Sequence, residues 1–187
     1  RQAAEWRRTG PPLSISVNVS ATSLLEPGFV ESVANALEEH GLPANALVLE
    51  ITEGIAIRNF AGSRNVIERF AQLGVVVSID DFGAGATSLM YLSELSGISE
   101  LKLDRAFLAG VVLQRRELEL VRATVELGHA VGLRVVAEGV EDAETLELIS
   151  AIGCDMAQGF FIGRPVPASD FEPHFQVPRT LMPAPPM

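Results

Sequence analysis

Apolar runs of strand length alternate with helical patterns along nearly the whole of this 187-residue chain, which restricts its possible folds more than any other feature. Residues 13–19 (LSISVNV), 46–52 (ALVLEIT), 75–80 (VVVSID), 99–103, 133–137 and 154–158 read as six strands. Between them, Val30, Val33 and Leu37 recur at helical spacing and stop at His40-Gly41. Val66, Phe70 and Leu73 do the same before Gly74, and Leu118, Val121 and Val125 before Gly132. Asp142 is the expected cap of a helix through Leu146 and Ile149. Residues 1–8 (RQAAEWRR) read as the last turns of a helix, stopped by Gly10, Pro11 and Pro12.

Strict alternation predicts an α/β fold, a parallel sheet with crossover helices. An open doubly wound sheet and a closed (β/α)8 TIM-like barrel both satisfy it. No Gly-rich phosphate loop follows the first strand, which weighs against a dinucleotide-binding sheet. A complete barrel takes about 250 residues. The expectation is therefore a barrel truncated at its N-terminus to about six strand–helix units. The uncapped opening helix and the absence of an initiator Met are the expected marks of a fragment. The domain is expected over residues 1–175. Residues 176–187, with four prolines, read as a Pro-rich tail.

Each predicted strand delivers a polar group at its C-terminal end: Asn18; Glu50 with Glu53; Asp80-Asp81; Lys102 with Asp104; Glu138 with Glu141; Gln158. Singly, each has a plain structural explanation. Asp-Asp suits a turn or cap, Glu50 and Glu53 a solvated helix start, Lys102 the surface, and Asn18 with Ser20 a helix cap. Independent surface accidents would not select the same end of six strands. In a parallel barrel those ends meet at one mouth, where active sites are built. Converging carboxylates repel one another, and divalent cations relieve the conflict. Hard oxygen donors without imidazole or thiolate favour Mg²⁺ or Mn²⁺, and a two-ion site suits in-line displacement at phosphorus.

The remaining features narrow the choice. With 24 acidic against 14 basic residues, a net charge of −10 disfavours duplex nucleic acid as a partner. No apolar run approaches the roughly 20 residues of a membrane span. The single Cys154 cannot form an internal disulfide and is expected in a structural role, in keeping with a cytoplasmic location. His40, His129 and His174 all lie away from the strand ends. The loop DDFGAGATSL has glycines but lacks the Lys-Ser/Thr ending of a Walker loop.

In chain order, Asn18-Val19-Ser20, LEITE (49–53), DDFG (80–83), LKLDRAF (101–107), AEGVE (137–141) and QGFFIGRP (158–165) resemble the EAL-domain cyclic-di-GMP phosphodiesterases over residues 11–175. The resemblance implies a barrel that linearises c-di-GMP to pGpG with two Mg²⁺ or Mn²⁺ ions. It implies Asn18, Glu50, Asp80 and Asp81 as metal ligands, Lys102 on the attacking water, and Glu138 as general base. Glu141 and Gln158 would organise the site, Glu53 would anchor the loop after Asp81, and Arg164-Pro165 would lie near the nucleotide. It further implies a possible homodimer and a sensory or GGDEF-type domain upstream, through which the parent protein could be membrane-tethered.

Two departures stand out. The Glu-Ala-Leu motif itself is absent from the chain, so the fragment alone is expected to be impaired. Ala84, Ala86 and Thr87 replace the Thr, Tyr and Ser usual in the loop, which bears on loop anchoring. The rival reading is a non-catalytic c-di-GMP receptor or interaction module of the same fold.

Overall fold

The computed structural model describes residues 1–58, 60–83, 96–112 and 114–171. The altered loop positions 84–87 and the tail 176–187 lie outside the described residues. Six strands form one sheet: β1 (Ile15–Asn18), β2 (Leu47–Thr52), β3 (Val76–Phe82), β4 (Glu100–Leu103), β5 (Arg134–Ala137) and β6 (Met156–Ala157). All neighbours are parallel and the spatial order is the chain order, β1 to β6. A doubly wound sheet reverses its strand order at a switch point. Among the described residues none occurs, and their six strands form an arc of a TIM-like barrel.

Helices cover the outside: α1 (Gln2–Thr9), α2 (Ala21–Leu24), α3 (Phe29–Glu39), α4 (Glu53–Arg58), α5 (Phe60–Leu73), α6 (Arg105–Leu108), α7 (Arg115–Ala130) and α8 (Ala143–Ala151). Strand parity divides the sheet into two faces. Leu49, Ile51, Val77, Ile79, Leu101, Leu103, Val135 and Ala137 share one core with Ile67 and Phe70 of α5, Val121 and Val125 of α7, and Ile149 of α8. Phe70 is fully buried and meets Phe29 of α3 edge-on at 5.6 Å. The alternate residues Val48, Glu50, Val76, Glu100, Lys102 and Val136 turn to the inner face, where they line a cavity of about 220 Å³. Polar residues inside a barrel are thus separated from the apolar core by the sheet itself.

Local chemistry ends the helices where the periodicity stops. After α5, Gly74 adopts φ +83° while Val75 N–H reaches back to Phe70 O (3.0 Å) and Gly74 N–H to Ala71 O (2.9 Å). This pair of hydrogen bonds closes the last turn and redirects the chain into β3, and it needs a left-handed residue that glycine supplies without strain. Asp142 caps α8 as expected, accepting from Thr145 N–H at 2.7 Å. Trp6 of α1 stacks at a tilt against Phe171, 4.9 Å between ring centres, so the first helix lies beside the last described residues.

Several boundaries differ from the sequence reading. Ala46 belongs to a 3₁₀ turn (Ala44–Ala46) ahead of β2, and β6 is only two residues long. The short helices α2, α4 and α6 follow β1, β2 and β4 directly; each is too short to show a periodic pattern. The Asp80-Asp81 pair is neither a turn nor a helix cap. Strand β3 continues through it to Phe82, with a bulge: between Ile79↔Leu101 and Phe82↔Leu103, β3 spends one more residue than β4. Asp81 takes up the slack at φ +57°, donating its N–H to its neighbour's Asp80 Oδ1 at 3.0 Å. Aspartate is among the few non-glycine residues that enter this region, at a cost of about 1 kcal/mol.

Past β6 the chain is fastened to the loop after β5. Val140 N–H donates to Gln158 O and Phe161 N–H to Val140 O, both at 3.0 Å. A Cβ at Gly159 would stand 2.1 Å from Val140 O, so only glycine permits this approach. At Gly163 the same test finds open space. Gly159→Ala is expected to destabilise the protein by about 3 kcal/mol in urea denaturation, against less than about 0.5 kcal/mol for Gly163→Ala. Equal effects would mean that the two loops are not locked through this contact.

Candidate metal centre at the strand ends

The site is centred on Lys102. It projects from the middle of β4 to the inner face, and its side chain is only 4% exposed. Its ammonium lies 2.6 Å from Glu138 Oε1, 2.9 Å from Glu50 Oε1 and 3.2 Å from Asp80 Oδ1. Glu50 comes from β2, Asp80 from β3, and Glu138 immediately follows β5, so one side chain links four consecutive strands. An ammonium has three N–H donors, and three carboxylates lie within 3.2 Å of this one. Burial by itself would lower the Lys102 pKa; the hydrogen bonds from Glu138 and Glu50 more than reverse this and hold it above the ordinary lysine value.

One cation does not balance this many acids. Asp80, Asp81 and Glu138 each offer an oxygen within 4.8 Å of the others. Burial pushes the Asp81 carboxyl above the ordinary carboxylate range, and the charges of Asp80 and Asp104 push it the same way. Burial likewise raises Glu138, with Lys102 opposing and Asp80 and Glu50 adding. Raised carboxyls beside one another indicate uncompensated negative charge, which a bound cation would relieve. All the donors are hard oxygens, which suits Mg²⁺ or Mn²⁺ better than zinc.

The other expected residues distribute unequally. Asn18 is the last residue of β1, exposed, and in register with Glu50, whose carbonyl accepts the Val19 N–H at 2.8 Å. Glu53 is buried at the start of α4. Gln158, just past β6, borders the inner cavity together with Glu50 and Lys102. Glu141 stands apart: it is exposed and pairs with Arg105 at 3.0 Å. Arg164 lies 4.5 Å above the Phe160 ring, and both Arg164 and Pro165 are exposed. Asp104 is occupied as the cap of α6, accepting from Ala106 N–H at 2.7 Å.

The sequence reading passed over three residues of the inner face. Glu100 is buried and pairs with Arg134 at 3.2 Å. Ser78 is fully buried and lies between Glu50 and Glu100 in register. Period-2 parity with Lys102 and Asp80 was the available signal. A larger hollow of about 340 Å³ lies between β1 and α3; Val17, Phe29, Val33, Leu37, Leu47 and Leu49 make it mainly apolar. No helix among the described residues is long and apolar enough to cross a membrane.

Comparison with known proteins agrees with this architecture. The chain is 43% identical over 169 residues to the bifunctional diguanylate cyclase/cyclic di-GMP phosphodiesterase MucR of Pseudomonas aeruginosa; that match takes in 90% of this chain but only 24% of MucR. A solved structure of PaMucR phosphodiesterase in complex with c-di-GMP superposes with a TM-score of 0.83 at 41% identity, covering 90% of this chain and 68% of that one. The EAL domain of Mycobacterium smegmatis DcpA gives a TM-score of 0.83 at 37% identity, covering 90% and 76%. The family model described as EAL domain matches residues 1–165, and on that match the chain belongs to the EAL domain family.

Proposed function

We propose that this chain forms the greater part of a metal-dependent phosphodiesterase domain that hydrolyses c-di-GMP to linear pGpG in bacterial second-messenger signalling. The observation that carries the proposal is the convergence of Glu50, Asp80, Asp81 and Glu138 around Lys102 at one rim. Family membership and the similarity to MucR, a bifunctional diguanylate cyclase/cyclic di-GMP phosphodiesterase, support it. The chain spans only 24% of MucR and 21% of YkoW of Bacillus subtilis, so the activity proposed is that of a whole protein.

Asn18, Glu50, Asp80 and Asp81 would hold two divalent ions, Mg²⁺ or Mn²⁺. When bound, the ions would acidify the attacking water and neutralise charge developing at phosphorus. Lys102 would orient that water and the phosphate oxygens through its fixed charge. Glu138 would take the water's proton as the new P–O bond forms, and the P–O3′ bond breaks with a proton passing to the leaving 3′-oxygen. A base with a raised pKa suits this role, because it holds a proton well enough to remove it from water. Glu53 would support the backbone beyond Asp81, and Gln158 would border the substrate from β6. Glu141 would act through Arg105, and Arg164-Pro165 would face the nucleotide.

The full-length protein with Mn²⁺ or Mg²⁺ is expected to convert c-di-GMP to pGpG, followed by chromatography, and chelator should abolish turnover. Glu138→Gln should lower kcat by roughly 10²-fold or more. Tight c-di-GMP binding that ignores metal, with no turnover, would assign the protein to the receptors instead.

The raised carboxyls of Asp81 and Glu138 also set a sign for pH. Without metal, the folded state retains protons that the unfolded chain releases. These two groups therefore subtract stability as pH rises from the ordinary carboxylate pKa through their raised values. Metal ligation requires the ionised forms, so divalent ions should stabilise the protein more as pH rises through that window. Thermal midpoints with Mn²⁺ and with chelator, measured across pH, should diverge upward; a constant gap would contradict the assignment.

A further inference from the structure

The position of Lys102 raises a question that its role on water does not answer. A lysine that only steered a water molecule would need one free N–H pointing at the substrate. Here three carboxylates surround the ammonium, at 2.6, 2.9 and 3.2 Å, and the side chain is 4% exposed. Two of those acids, Glu50 and Asp80, are the same residues assigned to the ions.

We propose that Lys102 is the resident counter-cation of the carboxylate cluster: it holds Glu50, Asp80 and Glu138 together in the metal-free protein, and divalent ions must compete with it for Glu50 and Asp80. The proposal rests on the metal reading given above and adds a regulatory property to it. Three acids from three different strands would otherwise drive the rim apart by mutual repulsion or take up protons. With Lys102 in place they are already converged, so binding requires no closure of the rim. The same charge repels an incoming cation and occupies oxygens that it needs, which weakens binding and keeps exchange fast. The metal centre is thus an exchange of one cation for others, and it is prepared for metal at the expense of affinity.

The test uses the full-length protein as wild type, Lys102→Met and Lys102→Arg. Thermal midpoints are measured in chelator and in saturating Mn²⁺, with binding heats from calorimetry. Lys102→Met should melt lower than wild type in chelator, and its Mn²⁺-induced rise should exceed that of wild type by roughly twofold or more. Lys102→Arg, keeping the charge, should follow wild type more closely. Equal Mn²⁺-induced rises in wild type and Lys102→Met, with binding heat in both, would overturn the proposal and leave the metal reading standing. Absence of binding heat in wild type with either Mn²⁺ or Mg²⁺ would instead overturn the metal reading, and the exchange with it.

If Lys102→Met does not fold in either condition, wild-type protein labelled with ¹⁵N-lysine decides the matter. Diamagnetic Mg²⁺ should shift the Lys102 ammonium resonance in proportion to site occupancy. A resonance that stays in place while Mg²⁺ binds would overturn the proposal.

Discussion

A buried ammonium shared among carboxylates from neighbouring strands is the constraint on which the rim of this molecule depends. Parallel strands are joined edge to edge by backbone hydrogen bonds, which fix their spacing but not the orientation of their ends. Lys102 on β4 adds a side-chain tie to β2, β3 and the residue after β5. A buried charge without partners would be strongly unfavourable, and so would buried acids without a cation. Each side makes the other tolerable. The inner face can therefore be polar where an ordinary core would be aliphatic, while Leu, Ile and Val on the opposite face of the same strands carry the hydrophobic stabilisation.

Below that rim the sheet continues the same logic. Glu100 pairs with Arg134 across β4 and β5, one inward position below Lys102. The 220 Å³ cavity has Ser16, Glu50, Glu100, Lys102 and Arg134 on its walls along with Val48, Val76 and Val136. Charge in the lumen is arranged in opposed pairs, with acid in excess only toward the mouth. An overall acidic chain can still receive an anionic phosphodiester if cations gather at that mouth.

Much of this was legible in the sequence for a physical reason. Strands of a parallel sheet are covered on the outside by helices, so residues 46–52 and 75–80 are dense in Val, Leu and Ile and stand out from amphipathic helices. Their inward-facing polar residues break the apolar run at its end, which made Glu50, Asp80 and Lys102 visible. Less could be read where geometry depends on neighbours. The two-residue β6 owes its existence to pairing with β5 rather than to its own composition, and the bulge in β3 arises from a mismatch with β4 that no local pattern encodes. Glu141 was expected beside Glu138 at the end of the fifth strand, yet three residues further on it pairs with Arg105 at the surface. Arg134 and Glu100 went unnoticed because a charged residue at the start of a strand ordinarily points to solvent.

The left-handed backbone at Asp81 carries an evolutionary consequence. Glycine would be relaxed at that position where aspartate is strained, so the simplest way to firm up the rim is also a way to delete one of its acids. If Asp81 holds an ion, as proposed above, backbone relaxation and ligation act on this position in opposite directions. Were that role lost, glycine would relieve the strain at Asp81 and leave the bulge in β3 without its carboxylate.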